Sequence, residues 1–65
     1  MASVETHIKR LRTEKHLTQE ELAEQLHVTR QAVSAWETGK ALPDVETLER
    51  IAAALGTDVT EVIYG

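Results

Sequence analysis

The stretch Leu17–Lys40, LTQEELAEQLHVTRQAVSAWETGK, decides how this chain folds. Thr18 is an N-cap candidate, and Glu21 three residues later completes a capping box. Leu22, Ala23 and Leu26 follow at i, i+1 and i+4, one face of a short helix over about 19–26. His27 and Val28 interrupt that pattern, and Thr29 is a second cap candidate. Val28 before this cap and Val33 after it occupy the staple positions that fix the angle of entry into the next helix. The second helix runs over about 30–38, where Gly39 can end it in a left-handed conformation.

A connection of roughly three or four residues is too short for two long antiparallel arms, so the pair crosses nearer to perpendicular. That is the geometry of a helix-turn-helix. Unwrapped at about 100° per residue, the second helix gathers Ala32, Val33 and Trp36 on one side. Arg30, Gln31, Ser34 and Thr38 gather opposite. The first group belongs in a core, and Trp36 reads as packing there and not as a platform for bases. The second group resembles any solvated helix face, but its chemistry also suits base edges in a major groove. A guanidinium pairs with guanine and an amide with adenine, while short hydroxyl side chains allow close approach. The free N–H groups at the two helix starts, near Gln19 and Arg30, suit phosphates.

Working outward, Ile8 and Leu11 share a face with Arg12 and Lys15 close by, which predicts a helix over about 4–14. Lys40–Pro43 reads as a loop, and Pro43 blocks helix until Asp44 caps a segment over about 45–55. Val45, Leu48, Ile51, Ala52 and Leu55 fall there at helical spacing, and Gly56 supplies the stop. Asp58 and Glu61 predict a last capping box, opening a helix over about 59–63 with Val59, Val62 and Ile63. No segment sustains period-two alternation. The expected class is all-α: a compact bundle of five short helices in one domain over 1–65, joined by connections of roughly 2–6 residues.

Composition agrees. The 65 residues hold no cysteine, so stability must come from an apolar core, and hydrophobic residues make up 42% of the chain. The absence of cysteine fits a reducing compartment, and no apolar run suggests a membrane span or a secretory signal. A cytoplasmic domain is expected. The net charge of −4 is unusual for a nucleic-acid binder. Its distribution matters more: residues 1–40 are balanced, and the whole excess lies in 41–65, where Arg50 faces Asp44, Glu46, Glu49, Asp58 and Glu61. The acidic end can face away from a polyanion while the neutral part meets it.

Four pieces then stand in order: Leu17–Thr18–Gln19–Glu20–Glu21–Leu22–Ala23, Thr29–Arg30–Gln31–Ala32–Val33–Ser34, Trp36–Glu37–Thr38–Gly39–Lys40, and Pro43–Asp44. Together they resemble the Cro/repressor (xenobiotic-response-element type) helix-turn-helix family of bacterial and phage regulators, across Ile8 to Tyr64. The resemblance implies a lambda-repressor-like domain whose partner is double-stranded operator DNA. It implies a homodimer on that DNA, with recognition helices about 34 Å apart. It also implies that Gln19 binds a phosphate and braces a base-reading side chain. Thr29, Arg30, Gln31 and Ser34 would touch bases or nearby phosphates, Thr38 shares their face, and Lys40 would contact the backbone. Arg12 and Glu37 match a structural ion pair between the first helix and the end of the third. Ala35 stands where similar relatives often carry Lys or another long polar residue, which implies narrower or weaker readout.

Other classes fare worse. His7, His16 and His27 are not spaced to put two ligands on one helical face, so exposed or half-buried histidines are expected, with no metal and no cofactor. No nucleophile, base and orienter stand together, and Ser34 has no histidine in its own helix to activate it, so no enzyme is expected. The alternative is a protein-interaction module of the same fold, such as the antitoxin of a toxin–antitoxin pair. The acid of residues 41–65 keeps that alternative in view.

Overall fold

A computed structural model describes residues 3–65, and all regular structure among them is helical: α1 (Val4–Glu14), α2 (Gln19–Leu26), α3 (Arg30–Thr38), α4 (Val45–Ala54) and α5 (Val59–Tyr64). Three helix starts are fixed by side chains. The Thr18 hydroxyl accepts the Glu21 N–H at 3.0 Å while the Glu21 carboxylate accepts the Thr18 N–H at 2.8 Å, closing a capping box on α2. Thr29 Oγ1 accepts the Ala32 N–H at 3.1 Å, and Asp44 Oδ1 accepts the Thr47 N–H at 2.8 Å. Asp58 differs from expectation: it caps α5 by position, but its side chain makes no capping hydrogen bond. Packing, not a capping box, therefore holds that short helix. The fourth helix stops at Ala54, one residue before the apolar spacing suggests, and Leu55 becomes its cap. The fifth continues to Tyr64, one residue beyond expectation.

Four helix ends share one device. The N–H groups of Leu17, Val28, Lys40 and Thr57 reach back five residues to the carbonyls of Arg12, Ala23, Ala35 and Ala52, at 2.9–3.2 Å. Each wrap needs a left-handed residue just before it. Gly39 and Gly56 supply two, but His16 and His27 supply the others, with φ of 59° and 58°. A left-handed histidine costs backbone energy that glycine avoids, so these two stops are not marked in the sequence as Gly39 is.

Each helix places one residue at zero exposure: Ile8, Leu22, Val33, Ile51 and Val62. Leu11, Ala23, Leu26, Trp36, Leu48, Ala52 and Leu55 complete the core, with Val28 and Ala32 packed against it. Full burial of one such aliphatic side chain contributes about 1.5–3 kcal/mol, so every helix is anchored by its own apolar residue. α2 packs on α3 and α4, α1 packs on α3 and α5, and α4 packs on α5. The inner side of α3 thus lies on α1 and α2, and its outer side carries no helix.

His7 departs from the expected exposure. It is buried at 4%, and its ring Nδ1 lies 3.0 Å from the Val62 carbonyl, an acceptor that requires the Nδ1–H tautomer. The ring joins α1 to α5 as a structural group.

Candidate nucleic-acid interface

α3 divides cleanly. Val33, Trp36 and Glu37 are buried, and Thr29, Arg30, Gln31, Thr38 and Lys40 are exposed, with Ser34 and Ala35 half-buried. The first turn of α3 holds no acid, so its unpaired N–H groups and the positive end of its dipole stand beside the Arg30 guanidinium. α2 is different. Glu20 and Glu21 occupy its first turn and already complement its dipole, so the phosphate-binding role expected of its backbone is weakened there.

Not every side chain on the outer face is equally available. The Thr38 hydroxyl donates back to the Ser34 carbonyl at 2.9 Å, which leaves it mainly as an acceptor. Thr29 Oγ1 serves as cap, but its O–H remains to donate. Ser34, Gln31, Arg30 and Lys40 have no side-chain hydrogen bond among the described residues.

The cations sort by function. Arg10 lies 3.3 Å from Glu14 and 3.9 Å from Glu61, Arg12 pairs with Glu37, and Arg50 donates to the Leu26 carbonyl at the end of α2. Among the described residues, Lys9, Lys15, Arg30 and Lys40 are in no ion pair, and of these Arg30 and Lys40 bracket α3. Beyond the exit of α3, the Ser3 hydroxyl and the backbone N–H of Glu5 hold the Glu5 carboxyl below its ordinary range. At the start of α4, the Thr47 hydroxyl and N–H do the same for Asp44.

Behind this face lies a polar node. Arg12 Nε and Nη2 donate to the two Glu37 oxygens at 2.6 and 3.0 Å, a two-pronged ion pair between α1 and α3. Arg12 Nη1 donates to the Leu17 carbonyl at 2.6 Å. Gln19 Nε2 donates to Glu37 Oε1 at 3.1 Å, which brings α2 into the same node. The side chains of Arg12 and Glu37 are 11% and 2% exposed, and no buried side-chain nitrogen or oxygen among the described residues lacks a partner. The link from Gln19 to Glu37 is not legible in the sequence, where Gln19 is expected to meet a phosphate and a base-reading side chain. One signal was present: Glu37 falls beside Val33 and Trp36 on the inner face, and a charge there demands partners.

Elsewhere, an open groove of about 470 Å³ between α2 and α4 is lined by Gln25, Leu26, Arg50, Ala53 and Ala54. Those groups include no nucleophile–base pair. No group of three or more His, Cys, Asp or Glu residues suited to a metal occurs among the described residues, and no helix there is long and apolar enough to cross a membrane.

Comparison with known proteins identifies the family and the fold. Residues 8–62 match a family model described as helix-turn-helix. The HTH-type transcriptional activator BcrR of Enterococcus faecalis is 47% identical over 58 residues, covering 89% of this chain but 28% of the activator. An uncharacterized HTH-type transcriptional regulator of Methanothermobacter thermautotrophicus is 48% identical over 59 residues, covering 91% of this chain and 86% of that protein. In structure, the chain is similar to the P22 c2 repressor solved with a synthetic operator, with a TM-score of 0.93, 23% identity and coverage of 100% and 98%. That likeness shows the fold. It is also similar to part of the hydroxypropylphosphonic acid epoxidase of S. wedmorenis, with a TM-score of 0.87, 30% identity, and coverage of 92% of this chain but 32% of that enzyme.

Proposed function

This chain belongs to the helix-turn-helix family of Cro/repressor type, and we propose that it binds operator DNA sequence-specifically, with α3 in the major groove. The observation that carries this reading is the outer face of α3. Arg30, Gln31 and Ser34 are presented there without internal partners, with Arg30 at a helix start free of acid and Lys40 just beyond the exit. Arg30 and Gln31 read bases, Ser34 allows close approach, and Thr29, Lys40 and Gln19 hold phosphates. Thr38 is a weaker contributor, because its hydroxyl hydrogen is already used. The domain acts by binding and not by catalysis; the epoxidase shares only a helical third of its length with it. Its place is the cytoplasm, where operator DNA is, and its regulatory effect is repression by occupancy.

Two copies bind together. The domain measures 26 Å along its longest axis, whereas successive major-groove faces lie about 34 Å apart, so one copy cannot serve two half-sites. Leu42 and Val45, 76% and 71% exposed, flank Pro43 just beyond Lys40 and offer an apolar surface for the second copy. The competing reading, an antitoxin-like interaction module, draws on the exposed acids Asp44, Glu46, Glu49 and Asp58.

Selection from random duplex DNA at two salt concentrations tests both readings. The expected product is a pair of half-sites spaced by about one helical turn. With Lys40 from each copy on a phosphate, the logarithmic salt slope is about −2, shallower than that of a strongly basic binder. A flat salt response with no enriched sequence would favour the interaction module.

A further inference from the structure

We infer that Glu37, neutralised by Arg12, is a positioning residue for DNA binding that holds the Gln19 amide in the orientation that leaves an N–H for the phosphate backbone. This rests on the DNA-binding reading above. The amide nitrogen of Gln19 carries two hydrogens, and one of them goes to Glu37 Oε1 at 3.1 Å. The other stays available at a half-buried residue that opens α2. The flipped amide would set its own oxygen against a carboxylate oxygen, acceptor against acceptor. Glu37 therefore dictates which end of the amide faces inward.

A free carboxylate so close to a phosphate would repel it. Glu37 is not free, since Arg12 meets both of its oxygens at 2.6 and 3.0 Å, and the pair presents no net charge. Arg12 also fixes the Leu17 carbonyl, two residues before Gln19, at 2.6 Å. α1 and α3 together thus set where the first residue of α2 stands. Gln19 enters binding with its long side chain already ordered, which lowers the entropy lost on contact.

The test compares the parent domain, Gln19→Ala, the paired variant Arg12→Met/Glu37→Met, and the combination of all three. The paired variant exchanges the buried ions for apolar chains of similar length, a change that folded domains commonly tolerate. Each protein is titrated with the operator recovered from the duplex selection, with circular dichroism confirming helix content. Gln19→Ala should weaken parent binding by about five- to tenfold. The paired variant should lose a similar factor, and adding Gln19→Ala to it should cost nothing more. Without DNA, the Gln19 side-chain amide signals in nitrogen-15 spectra should shift between the parent and the paired variant. Equal cost of Gln19→Ala in both backgrounds, parent-like binding by the paired variant, or unmoved amide signals would each overturn the inference while leaving DNA binding intact. No cost of Gln19→Ala in the parent would overturn it as well. A parent that binds no duplex would overturn both readings. If the paired variant fails to fold, Arg12→Met/Glu37→Leu replaces it: it too removes the acceptor that Gln19 Nε2 meets, and the same shift and loss are expected.

Discussion

Arg12→Ala removes the cation from a carboxylate whose side chain is 2% exposed. It deletes the bonds from Nε and Nη2 to Glu37 and from Nη1 to the Leu17 carbonyl, at 2.6, 3.0 and 2.6 Å. Gln19 Nε2, at 3.1 Å, is then the remaining side-chain donor to Glu37. Removing one partner of a buried pair costs roughly 3–5 kcal/mol. The space vacated by Arg12 admits water to the carboxylate, which puts the expected cost near the lower end, about 3 kcal/mol. A domain of this length is stable by roughly 3–10 kcal/mol, so the loss is a large fraction of the total. Each kcal/mol moves the melting temperature of such a domain by roughly 4–8 °C, and the expected fall is therefore about 12–24 °C. Thermal melting followed by circular dichroism at neutral pH measures it. Repeated in about 0.5 M salt, the fall should persist, because buried charges are screened far less than exposed ones. A fall equivalent to less than about 1 kcal/mol, the value for an exposed pair, would refute the reasoning, as would one that vanishes in salt.

Gln31→Ala should leave the melting temperature nearly unchanged while removing about 1–3 kcal/mol of discrimination at one base position. An unaltered site preference in the duplex selection would count against base reading by that amide. Asp44, held below its ordinary range by Thr47, contributes stability that is complete above the unfolded value of about 3.9 and lost as pH falls through the folded one. The stability advantage of the parent over Asp44→Asn in urea titrations should accordingly shrink on acidification to about pH 3, and a constant gap would contradict this. His27→Gly should raise the melting temperature by a few degrees, since relief of roughly 1–2 kcal/mol at φ 58° exceeds the roughly 0.5–1 kcal/mol of added freedom in the unfolded chain. A lower melting temperature would mean that the imidazole makes contacts worth more than the backbone strain.

What the sequence reveals about this fold is what acts over short range. Thr18, Thr29 and Asp44 cap helices through bonds to residues three positions away, so residue type and spacing identify them. The five fully buried aliphatic residues likewise follow from a 3.6-residue period. Asp58 shows the limit of that method: the same residue type in the same position leaves its side chain unused. Left-handed stops are visible at Gly39 and Gly56 but not at His16 and His27, because no local feature of histidine announces positive φ. Long-range polar partners are the least visible. His7 finds a carbonyl 55 residues away and Gln19 a carboxylate 18 residues away, with no spacing that encodes either meeting, while the Arg12–Glu37 pair, 25 residues apart, is legible only through the family resemblance.

The same long-range contacts explain how two helix starts in one motif acquire different work. α3 begins without acid, so its own backbone and Arg30 make its start electropositive. α2 begins with Glu20 and Glu21, and Glu21 is committed to closing the cap of its own helix. An anion approaching α2 therefore gains little from the dipole and must be met by a side chain. Gln19 is neutral and could turn either end of its amide outward in isolation. Its orientation is supplied from outside α2, by a carboxylate on α3 whose charge is cancelled by a guanidinium on α1. The stability of the α1–α3 junction and the availability of a donor at the start of α2 thus depend on the same two buried charges.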